Sequence, residues 1–477
     1  MLLYDNRAAC FLTNRAKRIR TVYIAPASLE TDIPDQTECD NWMRTPRGVI
    51  RTKSQQLETF ALGAYSSGER EKMLQASKKW DIWFSLAVTG QADGALGVNS
   101  DILGGIPIKN SSNAALTGPL VWSGAEFQGN HTYTLHLSED EAAEIDSALA
   151  SFKSLGLDGD EVSPDNFPLP ALSRRLRASA ETLHLGRGFV VIRGIDGRKY
   201  TAEDGVTIFL GVASYIADKR GLQDRKGNML SHVTDSKQWT APTSARHGIH
   251  TNASLPFHTD MGCDILSLQV RDSANKGGYT YLSSAWTVFN DLLDREPEVV
   301  KTLLAPNWPV QLSGRKASYY LAPVLTFHDG KLLASLDPHR LGPHPSMANS
   351  NIPALTEEQI HALQAVSDAA SRSELQLKLE TGDLLFFNNL ALVHRRDAYT
   401  DDDASSRHMV RLWLRSQKYG WAIPSGMLPP WEAAYGEKRK TKARHYPIVP
   451  MADYPVQKYT TSSAAFMIED SESSDEE

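Results

Sequence analysis

The segment Pro256-Phe257-His258-Thr259-Asp260-Met261-Gly262 demands more of the fold than any other stretch of the chain. On an extended backbone, residues two apart point to the same side. His258 and Asp260 therefore present an imidazole and a carboxylate together, a pair that can ligate a metal. A histidine hydrogen-bonded to a loop aspartate accounts for the two residues alone equally well. A facial metal site needs a third ligand from elsewhere. The best candidate is His394, in Leu392-Val393-His394-Arg395-Arg396-Asp397, after the apolar run Leu384–Phe387 and the turn pair Asn388-Asn389. Two histidines and one carboxylate on one face of an ion leave three positions open. Those positions can take a bidentate 2-oxo acid and then oxygen. Neutral imidazoles with an ionised aspartate suit a divalent first-row metal, Fe(II) first among them. Such a site forms only if strands far apart in sequence meet.

A second segment is Arg407-His408-Met409-Val410-Arg411-Leu412-Trp413. Alternation along a strand puts Arg407, Met409, Arg411 and Trp413 on one face. Two arginines on the inward side of an apolar strand are costly unless an anion pairs with them. A guanidinium fork matches a carboxylate with two parallel hydrogen bonds. The distal carboxylate of 2-oxoglutarate is one such anion, and an acidic substrate is another. A solvated strand face paired with Asp397 or Asp401–Asp403 is the alternative. The neighbours Met409, Leu412, Trp413 and Leu414 argue against full exposure.

Composition narrows the class. The 477 residues carry 50 basic and 57 acidic side chains, a net charge of −7, so no global positive field exists to hold nucleic acid or an anionic membrane. Neither is expected as a partner. Hydrophobic residues make up 41%, which allows a packed core. Three cysteines (Cys10, Cys39, Cys263) at wide spacing form neither a closed disulfide framework nor a four-thiolate zinc site, and a reducing compartment follows. No stretch approaches the apolar length of a membrane span. The first thirty residues lack a sustained apolar region, so secretion is not expected. Their basic character faintly resembles a mitochondrial address, and a poorly defined terminus in a cytoplasmic protein is the simpler expectation.

Along the chain, residues 1–115 read as a poorly patterned N-terminal extension with one helix expected over Ser54–Trp83. Residues 116–436 read as the main domain. Residues 437–477 read as a C-terminal extension ending in a disordered acidic tail, with a short basic run at Lys438–Arg444. Ser138 with Glu141 forms a capping box opening a helix to Phe152. Further helices are expected over Ala171–Leu185, from Thr201 to about Asp218, and from Thr356, with Gln359, to about Ser373. Strands are expected at Gly188–Arg193, Ile265–Val270, Leu384–Asn388 and Arg407–Leu414. Helices early and short strands late point to a mainly β core with flanking helices, an α+β arrangement without βαβ repeats.

These anchors resemble the TauD/TfdA-type (clavaminate synthase-like) family of Fe(II)/2-oxoglutarate-dependent dioxygenases. The resemblance runs from about Gly118 to Tyr435. It rests on His258-Thr259-Asp260, on Gly277-Gly278-Tyr279-Thr280, on His394 and on Arg407–Arg411, in that order. The order is more specific than any one string. The resemblance implies a double-stranded β-helix (jelly-roll) core with the metal in its mouth. It implies that His258, Asp260 and His394 hold Fe(II), and that Arg407 clamps the far carboxylate of 2-oxoglutarate. It implies that Thr280 contacts the same co-substrate, although the paired glycines would appear in any tight turn. Arg411 occupies the place where members hold an acidic group of the substrate, and the two arginines could exchange roles. With O2, 2-oxoglutarate is consumed to succinate and CO2. Asp260 is a carboxylate where related halogenases have a small residue, so halogenation is not expected. Taurine-binding members carry an asparagine where this chain has Ser254, so taurine is not the expected substrate.

The expected function is oxidation of an unactivated C–H bond in a small organic substrate, with an acid group placed beside Arg411. Hydroxylation, desaturation and ring closure all remain open. A non-catalytic cupin-like binding module and a protein hydroxylase or demethylase are the alternative readings. His328, His339 and His344 lie in or near a proline-rich stretch that reads as loop rather than second metal site. Cys263 reads as a small buried thiol. Trp286, Phe289, Tyr319 and Tyr320 read as core aromatics. His247 and His250 precede the metal strand without an assigned role.

Overall fold

A computed structural model describes residues 115–452, apart from 130–131, 225, 241–242, 244–245, 313–317, 344–350 and 437–442, and the backbone of residues 2–4, 7–14 and 19–24. Two units separate along the chain, Met1–Ile106 and Pro107–Glu477. In the first, Leu2–Tyr4, Arg7–Asn14 and Ile19–Ile24 pair as a three-stranded antiparallel sheet. The sequence reading had no pattern there, although Phe11, Val22, Tyr23 and Ile24 are strand formers. The helix expected over Ser54–Trp83 and the acidic tail lie outside the described residues.

Two sheets dominate the second unit. Their strands are β1 (Thr134–His136), β2 (Phe189–Arg193), β3 (Lys219–Arg220), β4 (Leu230–Thr234), β5 (Leu255–His258), β6 (Ile265–Asp272), β7 (Thr280–Ser284), β8 (Leu375–Leu377), β9 (Leu384–Asn388), β10 (Leu392–Arg396) and β11 (His408–Arg415). The larger, seven-stranded sheet runs β1-β2-β9-β6-β11-β3, with β4 also paired to β11. The smaller, four-stranded sheet runs β8-β7-β10-β5. Apart from the parallel β1–β2 pair, every ladder in the two sheets is antiparallel.

Side-chain alternation explains how the large sheet is buried on both faces. Leu266, Leu268, Leu385, Phe387, Met409 and Trp413 turn toward one core. Ile265, Leu384, Phe386, Val410, Leu412 and Leu414 turn toward a second. The second core is closed by helices α1 (Glu139–Leu155), α2 (Ser173–Leu185) and α3 (Ala202–Ser214). The first is shared with the small sheet and with α4 (Ala285–Arg295), α5 (Pro297–Leu304) and α6 (Glu357–Ser373). Capping boxes open α1 through Ser138 and Glu141, and α6 through Thr356 and Gln359. The arrangement is mainly β with flanking helices, and its sheets form the double-stranded β-helix core.

The chain described after residue 442 returns to this body. His445 pairs its backbone with Gly227 and Met229, and the Trp239 indole donates to the Met451 carbonyl at 2.9 Å. Arg271 donates to the Ile448 carbonyl at 2.6 Å. The described residues 443–452 are therefore bonded to this body. Among the described residues no helix is long and apolar enough to cross a membrane.

Candidate active site

Register brings the two distant histidines together. His258 ends β5 and is the cross-strand partner of His394 in β10. Paired residues project on the same face. The imidazole centroids stand 4.1 Å apart. His258 Nδ1 lies 2.8 Å from the Pro256 carbonyl, which fixes the proton there and leaves Nε2 with a lone pair. That Nε2 is 3.7 Å from Asp260 Oδ1. One ligand atom from each of His258, Asp260 and His394 lies within 4.8 Å of the others. No other such triplet occurs among the described residues.

Asp260 is held from three sides. Asn389 accepts from its backbone N–H at 2.8 Å, and the Asn389 amide donates to the Asp260 and Cys263 carbonyls, each at 2.8 Å. Asn389 thereby fastens the turn after β5 to the end of β9. Gly262 in that turn has φ of +94°, and a Cβ there would stand 2.8 Å from the Pro430 carbonyl oxygen. Asp260 Oδ2 accepts from Arg411 Nη1 at 2.8 Å and from Trp413 Nε1 at 2.9 Å. Burial alone would raise this carboxyl. The Arg411 guanidinium and the two imidazoles outweigh burial and hold it below the usual carboxylate range. Burial, helped by His258, pushes the His394 imidazole down to about 3. Its Nδ1 has no hydrogen-bond partner. The residues thus offer an ionised oxygen and ring nitrogens at one point, with the outer atoms of His258 and Asp260 tied to protein. That donor set fits a divalent first-row ion.

The arginines divide their work. Arg407 is buried; its Nε donates to the Gly278 carbonyl at 3.0 Å and its Nη2 contacts the Met409 sulfur at 3.3 Å. Its Nη1 is buried without a partner, and burial lowers its pKa to about 9. Gly278 has φ of +71°, and a Cβ there would come 2.7 Å from Arg407 Cδ, so only glycine lets the guanidinium lie there unmoved. Thr280 opens β7, is buried, and pairs with Arg396. Since Leu282 pairs with His394, Thr280 faces the same side as His394. Arg411 differs from the sequence expectation of a guanidinium awaiting an outside anion. Asp260 is its anion, and Gln223 Oε1 accepts from its Nε at 2.9 Å. Only Arg411 Nη2 lacks a partner.

Two polar groups of this region, His247 and Arg340, have no role assigned from the sequence. His247 is partly buried, its enclosed Nε2 has no partner, and burial with His250, Arg411 and Arg340 beside it pushes its imidazole well below the usual range. Arg340, with no exposed surface, sits 3.7 Å from Asp337 and feels Tyr320, Asp260 and Arg411. Their only sequence signals were a His-x-x-His spacing before β5 and charges inside a proline-rich run. His339 stands beside Asp337 and is half exposed, while His344 lies outside the described residues. Cys263 is fully buried. Ser254 is exposed, and the Asn252 amide donates to the Tyr399 carbonyl.

Residues 124–413 match the model of the taurine catabolism dioxygenase TauD, TfdA family. The chain belongs to this family. A relative is the taurine hydroxylase-like protein SAT17 of Stachybotrys chartarum (strain CBS 109288 / IBT 7711), 32% identical over 321 residues that make 65% of this chain and 83% of that one. Another is the FR-33289 synthase of Streptomyces rubellomurinus (strain ATCC 31215), 27% identical over 325 residues, 65% of this chain and 93% of the relative. Among solved structures, asparagine oxygenase in complex with Fe(II), 2S,3S-3-hydroxyasparagine and succinate is 18% identical, with a TM-score of 0.47, over 59% of this chain and 93% of that chain. As a member of the TauD/TfdA family, the protein is a non-haem iron dioxygenase that uses Fe(II), 2-oxoglutarate and O2.

Proposed function

We propose that this TauD/TfdA-family enzyme hydroxylates an unactivated C–H bond of a small organic substrate bearing an acidic group. His258, Asp260 and His394 are assigned to Fe(II). Arg407 and Thr280 are assigned to 2-oxoglutarate. When bound, the iron supplies the means by which O2 places one oxygen atom on substrate and the other in succinate, with release of CO2. The chain's own residues do the placing. His258 and His394 hold neutral nitrogens toward the metal, and Asp260 holds one oxygen there. Arg411 and Trp413 keep the other Asp260 oxygen occupied, so the carboxylate stays oriented and ionised. Arg407 Nη1 is assigned to a carboxylate of 2-oxoglutarate, and Arg411 Nη2 to an acceptor on the substrate.

The single observation behind this reading is the meeting of three metal-ligating atoms within 4.8 Å of one another, beside a buried guanidinium with an unpaired N–H group. The test is anaerobic reconstitution with Fe(II) and 2-oxoglutarate, followed through the weak visible charge-transfer band. The band is expected in the native protein and absent from His258→Ala and Asp260→Ala variants. Its persistence in both variants would sink the metal assignment. Succinate release that depends on an added organic acid, read across a panel of small acids and peptides, tests the substrate class. Turnover with peptides alone would overturn it.

A further inference from the structure

Arg396 is a further buried guanidinium, near Arg407 but on the smaller sheet, and it has no role in the site described above. It lies two residues beyond His394 on β10 and is 4% exposed. Its Nη2 donates to the carbonyls of Thr251 (2.9 Å), Gly248 (3.4 Å) and Ala253. Those bonds secure the loop entering β5. They leave Nε and Nη1 buried with no hydrogen-bond partner. A buried donor left unsatisfied costs its full desolvation penalty, and a charged one more. The fold tolerates two such groups on one side chain only if something else meets them.

The surroundings show what that is. The guanidinium carbons of Arg396 and Arg407 lie 5.1 and 5.4 Å from the centroid of the same Tyr399 ring. The Tyr399 hydroxyl is also buried and unpartnered, as is Arg407 Nη1. Four unsatisfied polar atoms thus gather around one aromatic ring, and three of them belong to cations. Strand register aims the group. Thr280 pairs with Arg396 as Leu282 pairs with His394, so Arg396 projects to the side on which His394 stands. An extended strand advances about 3.4 Å per residue, so these two positions are separated by about 7 Å. That is about the reach of a five-carbon dicarboxylate whose keto-acid end sits at the histidines.

We propose that Arg396 is a second cationic contact for the distal carboxylate of 2-oxoglutarate, sharing it with Arg407 around Tyr399. The inference rests on the assignment of Arg407 to the co-substrate made above. Arg396 thereby makes the pocket select a diacid over a 2-oxo acid lacking the second carboxylate.

The test is binding rather than turnover. Full-length protein loaded with Fe(II) is titrated anaerobically by calorimetry with 2-oxoglutarate and, separately, with 2-oxopentanoate, which lacks the distal carboxylate. Arg396→Gln is expected to weaken 2-oxoglutarate about tenfold, the loss of one charge-assisted contact, and to leave 2-oxopentanoate within about twofold. Equal weakening of both ligands means that Arg396 only fastens the Gly248–Ala253 loop, and overturns the proposal. Unchanged affinity for both overturns it too. If the glutamine variant does not fold, Arg396→Lys serves, because it keeps the charge and loses the fork. Its preference for 2-oxoglutarate over 2-oxopentanoate is expected to fall about threefold, and an unchanged preference counts against Arg396. An Arg407→Gln arm separates the two levels. If it leaves the preference intact, the co-substrate assignment itself fails. If it abolishes the preference while the Arg396 variants do not, only the present inference fails.

Discussion

Asp260 shows how a single side chain is committed in two directions. One oxygen faces His258, and the other accepts from Arg411 and Trp413. Removing the indole donor should loosen the carboxylate without touching the co-substrate pocket. Trp413→Phe is expected to weaken Fe(II) binding about tenfold, as outer partners of metal ligands typically do. Competition with a chelator measures it, and 2-oxoglutarate affinity at saturating iron should not move. Gly278→Ala makes the opposite cut. Its Cβ displaces Arg407, so KM for 2-oxoglutarate should rise several-fold while iron affinity holds. The histidines, Asp260 and Arg407 were legible in the sequence because each is a costly residue type inside an apolar context, in a telling order. The Asn389 clamp, the Arg411–Asp260 pair and the Arg396 cluster were not. The first two join residues more than a hundred positions apart, and the third gathers Arg396 and Arg407 about Tyr399 through packing that periodicity alone does not reveal.

At the level of elements, helices with capping boxes open where the boxes stand, although α1 runs to Leu155, three residues beyond the expected Phe152. Thr356 accepts from the Gln359 N–H, and Gln359 accepts in return from the Thr356 N–H. Thr356→Ala should cost about 1 kcal/mol of stability, visible as a lowered Tm with the metal site intact. An unchanged Tm would mean that α6 is held wholly by its packing. Strands β6 and β9 are legible as apolar runs and β11 by its alternation, but neither signal says which face meets which core, because both faces are buried. Helices α4 and α5 were missed. Ser284 caps α4 from the last position of a strand, and Glu296 alone separates the end of α4 from Pro297 at the start of α5, so neither boundary is marked by a loop.

The larger unit is closed by its residues 443–452. His232 Nε2 lies 2.9 Å from the Pro447 carbonyl, and its Nδ1 lies 2.8 Å from His408 Nε2 on β11. Burial pushes His232 to about 4 and His408 to about 3, below the ordinary value of about 6.5. Burial also lowers His184, His247 and His250. Between those values and about 6.5 the unfolded chain binds protons that the folded chain excludes, so stability falls as pH drops through that window. Above about 6.5 the contribution is fully present. Urea melts between pH 7 and 4 should show a falling midpoint. His232→Gln should flatten part of that slope; a slope as steep as the native one would acquit the pair.

The pairing of β10 has one more consequence. Its inward positions carry His394 and Arg396, while Arg395 points the other way, stacked 3.6 Å over Tyr281 and bound to Glu374 and Asp397. A slip of one residue during folding would deliver a guanidinium where an imidazole belongs. Mispaired molecules would repel the ferrous ion outright, so a preparation of this enzyme should divide into fully active and inert fractions rather than a continuum of sluggish ones.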